Sequence, residues 1–365
     1  MLNLQFLRYP FLFGVPVMKD LAGLRGLFTR PYQNWQPGTP VVGHMLSRDP
    51  IIFCCQPQPW PFGAADYFAR RFADKPLVFL VPITMSLERR IFALSLAVQH
   101  RRFEKRYPHA RMIMLANTRD EERILRGLGV AAQFAPQNMF VNETMYHPLP
   151  GRERTFDAIY NAQLAPFKRH DLARLVPSCA YVTKMFSHWP AQLKRQQLDK
   201  FVRTMPRGHA ILNDVVPDGI VLMSHVAVNE AMASAHVGLC LSKLEGAMYA
   251  SIEYLLAGLP VVSTRSRGGR DTFFHPDTTL IVDDDPRAVR DGVAAMKSRN
   301  IPPDYVRATT MKLVAEERTR FNAFISGLRN GHGVDVETGW SFDYYHKLAR
   351  SSVLSDFEAQ LAAGA

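Results

Sequence analysis

Residues 242–260 read SKLEGAMYASIEYLLAGLP, a mostly apolar run that carries two carboxylates, Glu245 and Glu253, with a glycine directly after the first. A strand ending at Ser242 and a helix starting just after Gly246 would leave the amides of Gly246, Ala247 and Met248 without acceptors, which makes an anion site. Glycine there lets a phosphate or a sugar approach the backbone closely. On one helix, eight residues put Glu253 about 80° round from Glu245 and about 12 Å along the axis. The two carboxylates then cannot share a proton or a metal ion, and they suit opposite ends of an elongated ligand. Glu253 is flanked by Ile252, Tyr254, Leu255 and Leu256, where an unpaired charge is costly. A salt-bridge partner or a pair of ligand hydroxyls would satisfy it. Upstream, Lys168 and Arg169 open a KRH run that by itself reads as a solvated helix face.

The elements that must position these groups alternate. TPVVGHML, DPIIFCCQ, KPLVFLVP, ARMIMLAN and AAQFAPQN read as strands, with helices near 64–73, 86–106 and 119–127. After the Pro- and Gly-containing HPLPGRERT the rhythm resumes. FDAIYNA, CAYVTKMF, HAILNDV, GIVLMSH, VGLCLS, PVVST and TLIVDD read as strands; KRHDLARLV, 190–204, VAVNEAMASA, GAMYASIEYLLAG and PRAVRDGVAAMKS read as helices. Such alternation predicts an α/β fold with parallel sheets covered by helices. The expected domains are 1–150 and 151–330, followed by a helical segment, 331–365, that crosses back to the first domain or dimerises.

The chain has 365 residues, which favours two domains over one core. Its hydrophobic share of 47% is that of an ordinary globular protein. The apolar N-terminus is broken by Arg8, Pro10 and Pro16, so it reads as a first strand and a buried loop rather than a signal peptide or anchor. Cys54, Cys55, Cys179 and Cys240 lack metal-ligand spacing and read as buried thiols of a cytoplasmic protein. The net charge is +11, and residues 1–150 hold 18 basic and 10 acidic side chains, which puts +8 of it in the first domain. The stretch RRIFALSLAVQHRRFEKRYPHAR is its densest part. No RNP-like, zinc-finger or helix-turn-helix pattern accompanies it, so nucleic acid is not expected as a partner; a solvated helix face or an anionic membrane surface accounts for it.

SKLEGAMYASIEYLLAGLPVVSTRSRGG resembles the donor-binding signature of the retaining GT-B glycosyltransferases, family 4 in particular, and the resemblance runs from about residue 156 to 296. Glu245 and Glu253 fall on that family's E-x7-E pair, and Gly258, Pro260, Gly268 and Gly269 on the rest of the motif. The resemblance implies two Rossmann-like parallel-sheet domains facing a cleft. It also implies a nucleotide-sugar donor, UDP- or GDP-linked, with no metal required. Lys168 would meet the diphosphate, with Arg169 as a lesser choice. Glu245 would contact donor-sugar hydroxyls near the anomeric centre, Glu253 the ribose, and the amides of Gly246, Ala247 and Met248 sugar or phosphate oxygens. His225 and Val226 would lie beside the base. Trp60, in QPQPWPFG after a strand, would stack on an acceptor sugar or pack as core. His44, His100 and His109 read as structural, and Asp283–Asp285 as a loop and helix cap.

Three departures stand out: Ala162–Gln163 where the family has Gly-Arg, Pro82–Ile83 where many members have a histidine, and Asp271 in place of a glutamate. Gln163 thus stands where a second diphosphate cation is expected. The implied function is sugar transfer with retention to a saccharide or glycolipid acceptor in bacterial polysaccharide or glycolipid assembly. The implied place is the cytoplasm, with peripheral association at the inner face of the membrane. A nucleotide-sugar epimerase or phosphorylase of the same fold, and a non-catalytic binding protein, are the alternatives.

Overall fold

The structure is a computed structural model and describes residues 26–87, 90–187, 189–217, 219–328 and 348–363. The strand and loop expected at the N-terminus, and residues 331–347 of the expected helical tail, lie outside the described residues. Contacts divide the chain into two units, one running from Glu143 to Val314 and the other comprising the described residues up to Asn142 together with Ala315 onward.

In chain order the elements begin with β1 (Pro40–Arg48), β2 (Ile51–Cys55), α1 (Ala65–Arg71), β3 (Leu77–Pro82), α2 (Arg90–Arg106), β4 (Ala110–Ala116), α3 (Arg119–Gly127) and β5 (Ala132–Phe134). Next come β6 (Phe156–Asn161), β7 (Cys179–Val182), α4 (Ala191–Thr204), β8 (His209–Ile211), β9 (Val215–Val216), β10 (Gly219–Ile220), α5 (His225–Ala233) and β11 (Ala235–Cys240). The remainder are α6 (Tyr249–Leu256), β12 (Val261–Thr264), β13 (Thr279–Val282), α7 (Pro286–Ser298), α8 (Pro303–Leu328), β14 (Arg350–Val353) and α9 (Leu354–Ala363).

In the unit holding β1 the strand order is β14-β1-β2-β3-β4-β5. β2 through β5 pair in parallel, whereas β1 pairs antiparallel with both β2 and β14. This sheet is therefore mixed. The physical reason lies in Asp49–Pro50, a connection too short to cross over, which forces β1 and β2 into a hairpin. Every residue of β2 is buried, as befits a strand covered on both faces. Phe53 sits at its centre, edge-on to Phe68, Phe79 and Phe357. At the carboxyl ends of β3 and β4, the fully buried Glu121 accepts from the amides of Leu87 at 2.8 Å and Asn117 at 2.9 Å. Thr118 caps α3 through the Glu121 amide at 3.0 Å. All four cysteines are free and buried.

The other unit carries a wholly parallel sheet in the order β13-β12-β11-β6-β7-β8. From β6 the chain runs outward through β7 and β8, then returns to β11 on the other side and runs outward again. β6 and β11 therefore flank the topological switch point, where α/β sheets bind ligands beyond the carboxyl ends of their strands. Helix α6 lies unusually close to this sheet. A Cβ added at Gly238 of β11 would meet the Tyr254 ring at 2.5 Å, so only glycine admits the helix at that distance. The helix ends in a Schellman motif: Leu259 N–H donates to Tyr254 O at 2.8 Å and Gly258 N–H to Leu255 O at 3.1 Å. Gly258 takes φ 77°, the left-handed conformation the motif requires.

Three local expectations differ. KRHDLARLV forms two short 3-10 turns, Pro166–Lys168 and His170–Ala173, because Arg169 between them adopts φ 53° and breaks the helical path. In GIVLMSH strand pairing stops at Ile220; Leu222 is 69% exposed with no sheet neighbour to bury it. Within the expected helical tail, Arg350–Val353 forms the strand β14 and the helix starts at Leu354.

Gly238→Ala is expected to destabilise the protein by about 1–3 kcal/mol, because the methyl forces α6 off the sheet. Urea unfolding with an unchanged m-value checks this; a change below about 0.5 kcal/mol would show that the helix shifts freely.

Candidate functional site

The carboxyl ends of β6 and β11 bring Lys168 and Glu245 together. Lys168 ends the first 3-10 turn after β6, and its backbone carbonyl accepts from the hydroxyl of buried Tyr160 at 2.6 Å. Glu245 follows β11 on a loop held to the next one by Glu245 N–H to Arg267 O at 3.0 Å and Arg267 N–H to Lys243 O at 3.1 Å. The Lys168 ammonium pairs directly with Glu245 Oε1, and each side chain is 11% exposed. Helix α6 starts at Tyr249 with Met248 as its cap residue. Gly246, Ala247 and Met248 therefore precede the helix, and the rotation and rise expected for a Glu245–Glu253 helix do not apply. A loop forms instead because Gly246 O is held by the Gly269 amide at 2.7 Å, which draws the chain toward Gly268–Gly269.

Glu253 is buried in the second turn of α6. Asn161 at the end of β6 donates to it through Nδ2 at 3.3 Å, and the Asn161 amide donates to the hydroxyl of Tyr254 next to it. The two carboxylates thus have separate partners. His225 opens α5 on the exposed side, its Nδ1 2.7 Å from the Tyr146 hydroxyl, and Val226 beside it is 70% exposed. Gln163 is half-buried, and its carbonyl accepts the Ala165 amide at 2.8 Å.

Arg169 is occupied. Its guanidinium donates to Leu241 O at 2.6 Å and Thr264 Oγ1 at 2.7 Å, and it pairs with Asp284 at 2.8 Å. That hydrogen bond holds the Asp284 carboxyl below its usual range. Asp285 caps α7 by accepting from Arg287 N–H at 2.9 Å and Ala288 N–H at 3.0 Å. In the other unit, Trp60 is half-buried against the core, with its indole nitrogen enclosed and without a partner. His44, His100 and His109 each hold a backbone carbonyl, of Leu348, Met112 and Ala69 respectively.

One residue that the spacing of the motif did not single out underlies the site. Arg270, fully buried, donates to Cys240 O at 3.0 Å, Ser242 O at 2.5 Å, Ser263 Oγ at 2.7 Å and the Thr264 carbonyl, and pairs with Asp271 Oδ1 at 2.6 Å. It ties the ends of β11 and β12 to the start of the Glu245 loop. Burial raises the Asp271 carboxyl above its usual range despite that pair. The available signal was an arginine between two glycines and an aspartate.

A mixed sheet whose strands β2 to β5 are parallel in one unit, and a wholly parallel sheet in the other, give a GT-B-type α/β fold. Residues 191–298, from α4 to the end of α7, match the model of the family "Glycosyl transferases group 1". Among solved structures, the chain is similar to Anabaena Alr3699/HepE in complex with UDP, at TM-score 0.53 and 13% identity over 72% of this chain and 76% of that one. It is similar to the same Anabaena protein in complex with UDP and glucose at TM-score 0.52 and 13% identity over the same shares, 72% and 76%. Sucrose-phosphate synthase from Thermosynechococcus elongatus matches at TM-score 0.48 and 13% identity over 73% and 68%. The HepE likenesses show the fold. No curated protein matches the chain in sequence.

His170 supplies a pH test of this half of the molecule. Its ring lies among Tyr160, Tyr181 and Phe201, Nε2 has no partner, and burial lowers its pKa from 6.5 to about 3. As pH falls the unfolded chain takes this proton first. The contribution to stability is thus complete above pH 6.5 and is lost between 6.5 and about 3, at about 1.4 kcal/mol per pH unit. Between pH 7.5 and about pH 5 the wild type is expected to lose about 2 kcal/mol more than His170→Phe. Equal losses in urea melts would refute this.

Proposed function

We propose that this chain is a glycosyltransferase that moves a sugar from a UDP- or GDP-linked donor to a saccharide or glycolipid acceptor with retention of anomeric configuration. Its proposed setting is bacterial polysaccharide or glycolipid assembly. The observation that carries this reading is the meeting of Lys168 and Glu245 at the switch point, with Glu253 buried on the neighbouring helix. The match of residues 191–298 to group 1 glycosyl transferases and the fold shared with UDP-bound HepE support it.

Transfer breaks the bond between the anomeric carbon and the diphosphate oxygen and forms a bond from that carbon to the acceptor oxygen on the same face. The acceptor's proton leaves with the departing diphosphate or to solvent. Negative charge grows on the diphosphate, and a preorganised cation in a mostly buried place stabilises it strongly. Lys168 is that cation, with the amides of Gly246 and Ala247 as supporting dipoles. Glu245, once its ammonium partner turns to the diphosphate, accepts from hydroxyls of the donor sugar. Glu253 takes the ribose hydroxyls, and His225 and Val226 border the base. Gln163 can donate only a neutral hydrogen bond where a second cation is expected, and Arg169 is engaged with Asp284. Lys168 therefore carries the diphosphate charge in this reading.

Lys168→Ala is expected to lower kcat about 100-fold, Glu245→Ala to do likewise, and EDTA to leave transfer unchanged. Transfer and donor hydrolysis, followed by product analysis on UDP- and GDP-sugars, test this. Undiminished activity in both variants would overturn the site, loss with EDTA would overturn the metal-free reading, and epimerised donor as the product would replace transfer with epimerisation.

A cytoplasmic location with peripheral attachment to anionic membrane is proposed from α2. Arg90, Arg101, Arg102, Lys105 and Arg106 occupy exposed positions on it, beside Leu94 at 45% exposure. No helix among the described residues is long and apolar enough to cross a membrane. Salt-sensitive co-sedimentation with anionic but not zwitterionic vesicles is the expected result; no sedimentation with either kind would remove the proposal.

A further inference from the structure

Glu253 is held by more than the asparagine beside it. Tyr146, directly before the segment HPLPG, is 1% exposed. Its hydroxyl bonds His225 Nδ1 at 2.7 Å and also the Glu253 carboxylate. A phenol has one proton. Given to the carboxylate, it leaves the oxygen to accept from His225 Nδ1–H. Burial, and then Glu253, push the Tyr146 hydroxyl up from its ordinary pKa, so it stays a donor at any physiological pH.

The backbone under this tyrosine is fastened as well. Arg307 donates to Tyr146 O at 2.5 Å, Glu143 O at 3.0 Å and Leu256 O at the end of α6 at 2.8 Å. Asn229 of α5 accepts from the His147 amide at 3.3 Å and donates to the His147 carbonyl at 3.0 Å. The segment is thereby tied to both helices that border the nucleoside end of the site, and Tyr146 is its side chain facing both His225 and Glu253.

We propose that Tyr146 is the positioning residue for nucleoside recognition. It holds the Glu253 carboxylate in place for the ribose hydroxyls, and it links that carboxylate to His225 at the base. The proposal rests on the reading that Glu253 takes the ribose, and the test separates the two. Calorimetry compares UDP and GDP with their 2′,3′-dideoxy counterparts on wild type, Glu253→Gln, Tyr146→Phe and His225→Ala, with donor kinetics alongside.

Tyr146→Phe is expected to weaken the ribonucleotide about tenfold, leave the dideoxynucleotide unchanged, and raise KM for the donor far more than it lowers kcat. His225→Ala, at an exposed position, removes a base contact common to both nucleotides and is expected in addition to narrow the ratio of ribo- to dideoxynucleotide affinity; that ratio decides the matter should Tyr146→Phe not fold. If Tyr146→Phe and His225→Ala both leave that ratio at its wild-type value, Tyr146 is structural and the proposal falls. If wild type and Glu253→Gln both fail to distinguish ribo- from dideoxynucleotide, the ribose reading of Glu253 fails and takes this inference with it.

Discussion

A guanidinium with no access to water sets the terms for this protein's site. Arg270 is fully buried, and the carbonyls of Cys240, Ser242 and Thr264 receive its protons alongside one carboxylate, Asp271. A buried cation is tolerated only when its donors are all met. The ends of β11 and β12 must therefore hold the positions that meet them, and the loop that carries Glu245 leaves from one of those ends. Glu121 performs the inverse service in the other unit, a buried carboxylate gathering the amides of Leu87 and Asn117 beyond β3 and β4. In each unit one charge converts loose strand ends into a fixed platform.

The platform explains why groups far apart in sequence meet. Lys168 and Glu245 follow adjacent parallel strands whose chains leave toward opposite edges of the sheet, so a crevice opens between their loops and the two side chains meet across it. Glu253 is placed by a different device. Gly238 lets α6 rest on the sheet, Tyr254 reaches the Asn161 amide, and Asn161 in turn reaches Glu253. One carboxylate is thus mounted on a loop and the other on a helix seated against β-structure. In the proposed reading, the sugar end of the ligand meets the more adaptable of the two.

The alternation of apolar runs made both sheets legible, because strands covered on both faces must be apolar throughout, as IIFCC and VGLC are. The mounting of the site was less legible. The KRH run has helical composition, and only the left-handed backbone of Arg169, required for its guanidinium to reach Leu241, Thr264 and Asp284, turns it into two short turns. The start of α6 lies three residues later than the glycine suggests, since Gly246 O is taken by the Gly269 amide, a partner distant in sequence. Arg270 and Tyr146 were passed over for the same reason: their importance lies in what folds around them. Tyr146, directly before the Pro- and Gly-containing HPLPGRERT, places a buried hydroxyl against His225.

In the proposed reading, the ion pair between Lys168 and Glu245 bears on selectivity as well as on binding. A bare lysine in a mostly buried recess would attract every small anion of the cell, and inorganic phosphate is abundant. Here the charge is already cancelled from within, so an anion that displaces Glu245 must also leave that carboxylate with hydrogen-bond donors in exchange. Free phosphate has few to give, whereas a sugar linked to a diphosphate brings the negative charge and the hydroxyls in one molecule. Self-neutralisation of this kind turns a simple electrostatic trap into a site that asks for both halves of its ligand at once.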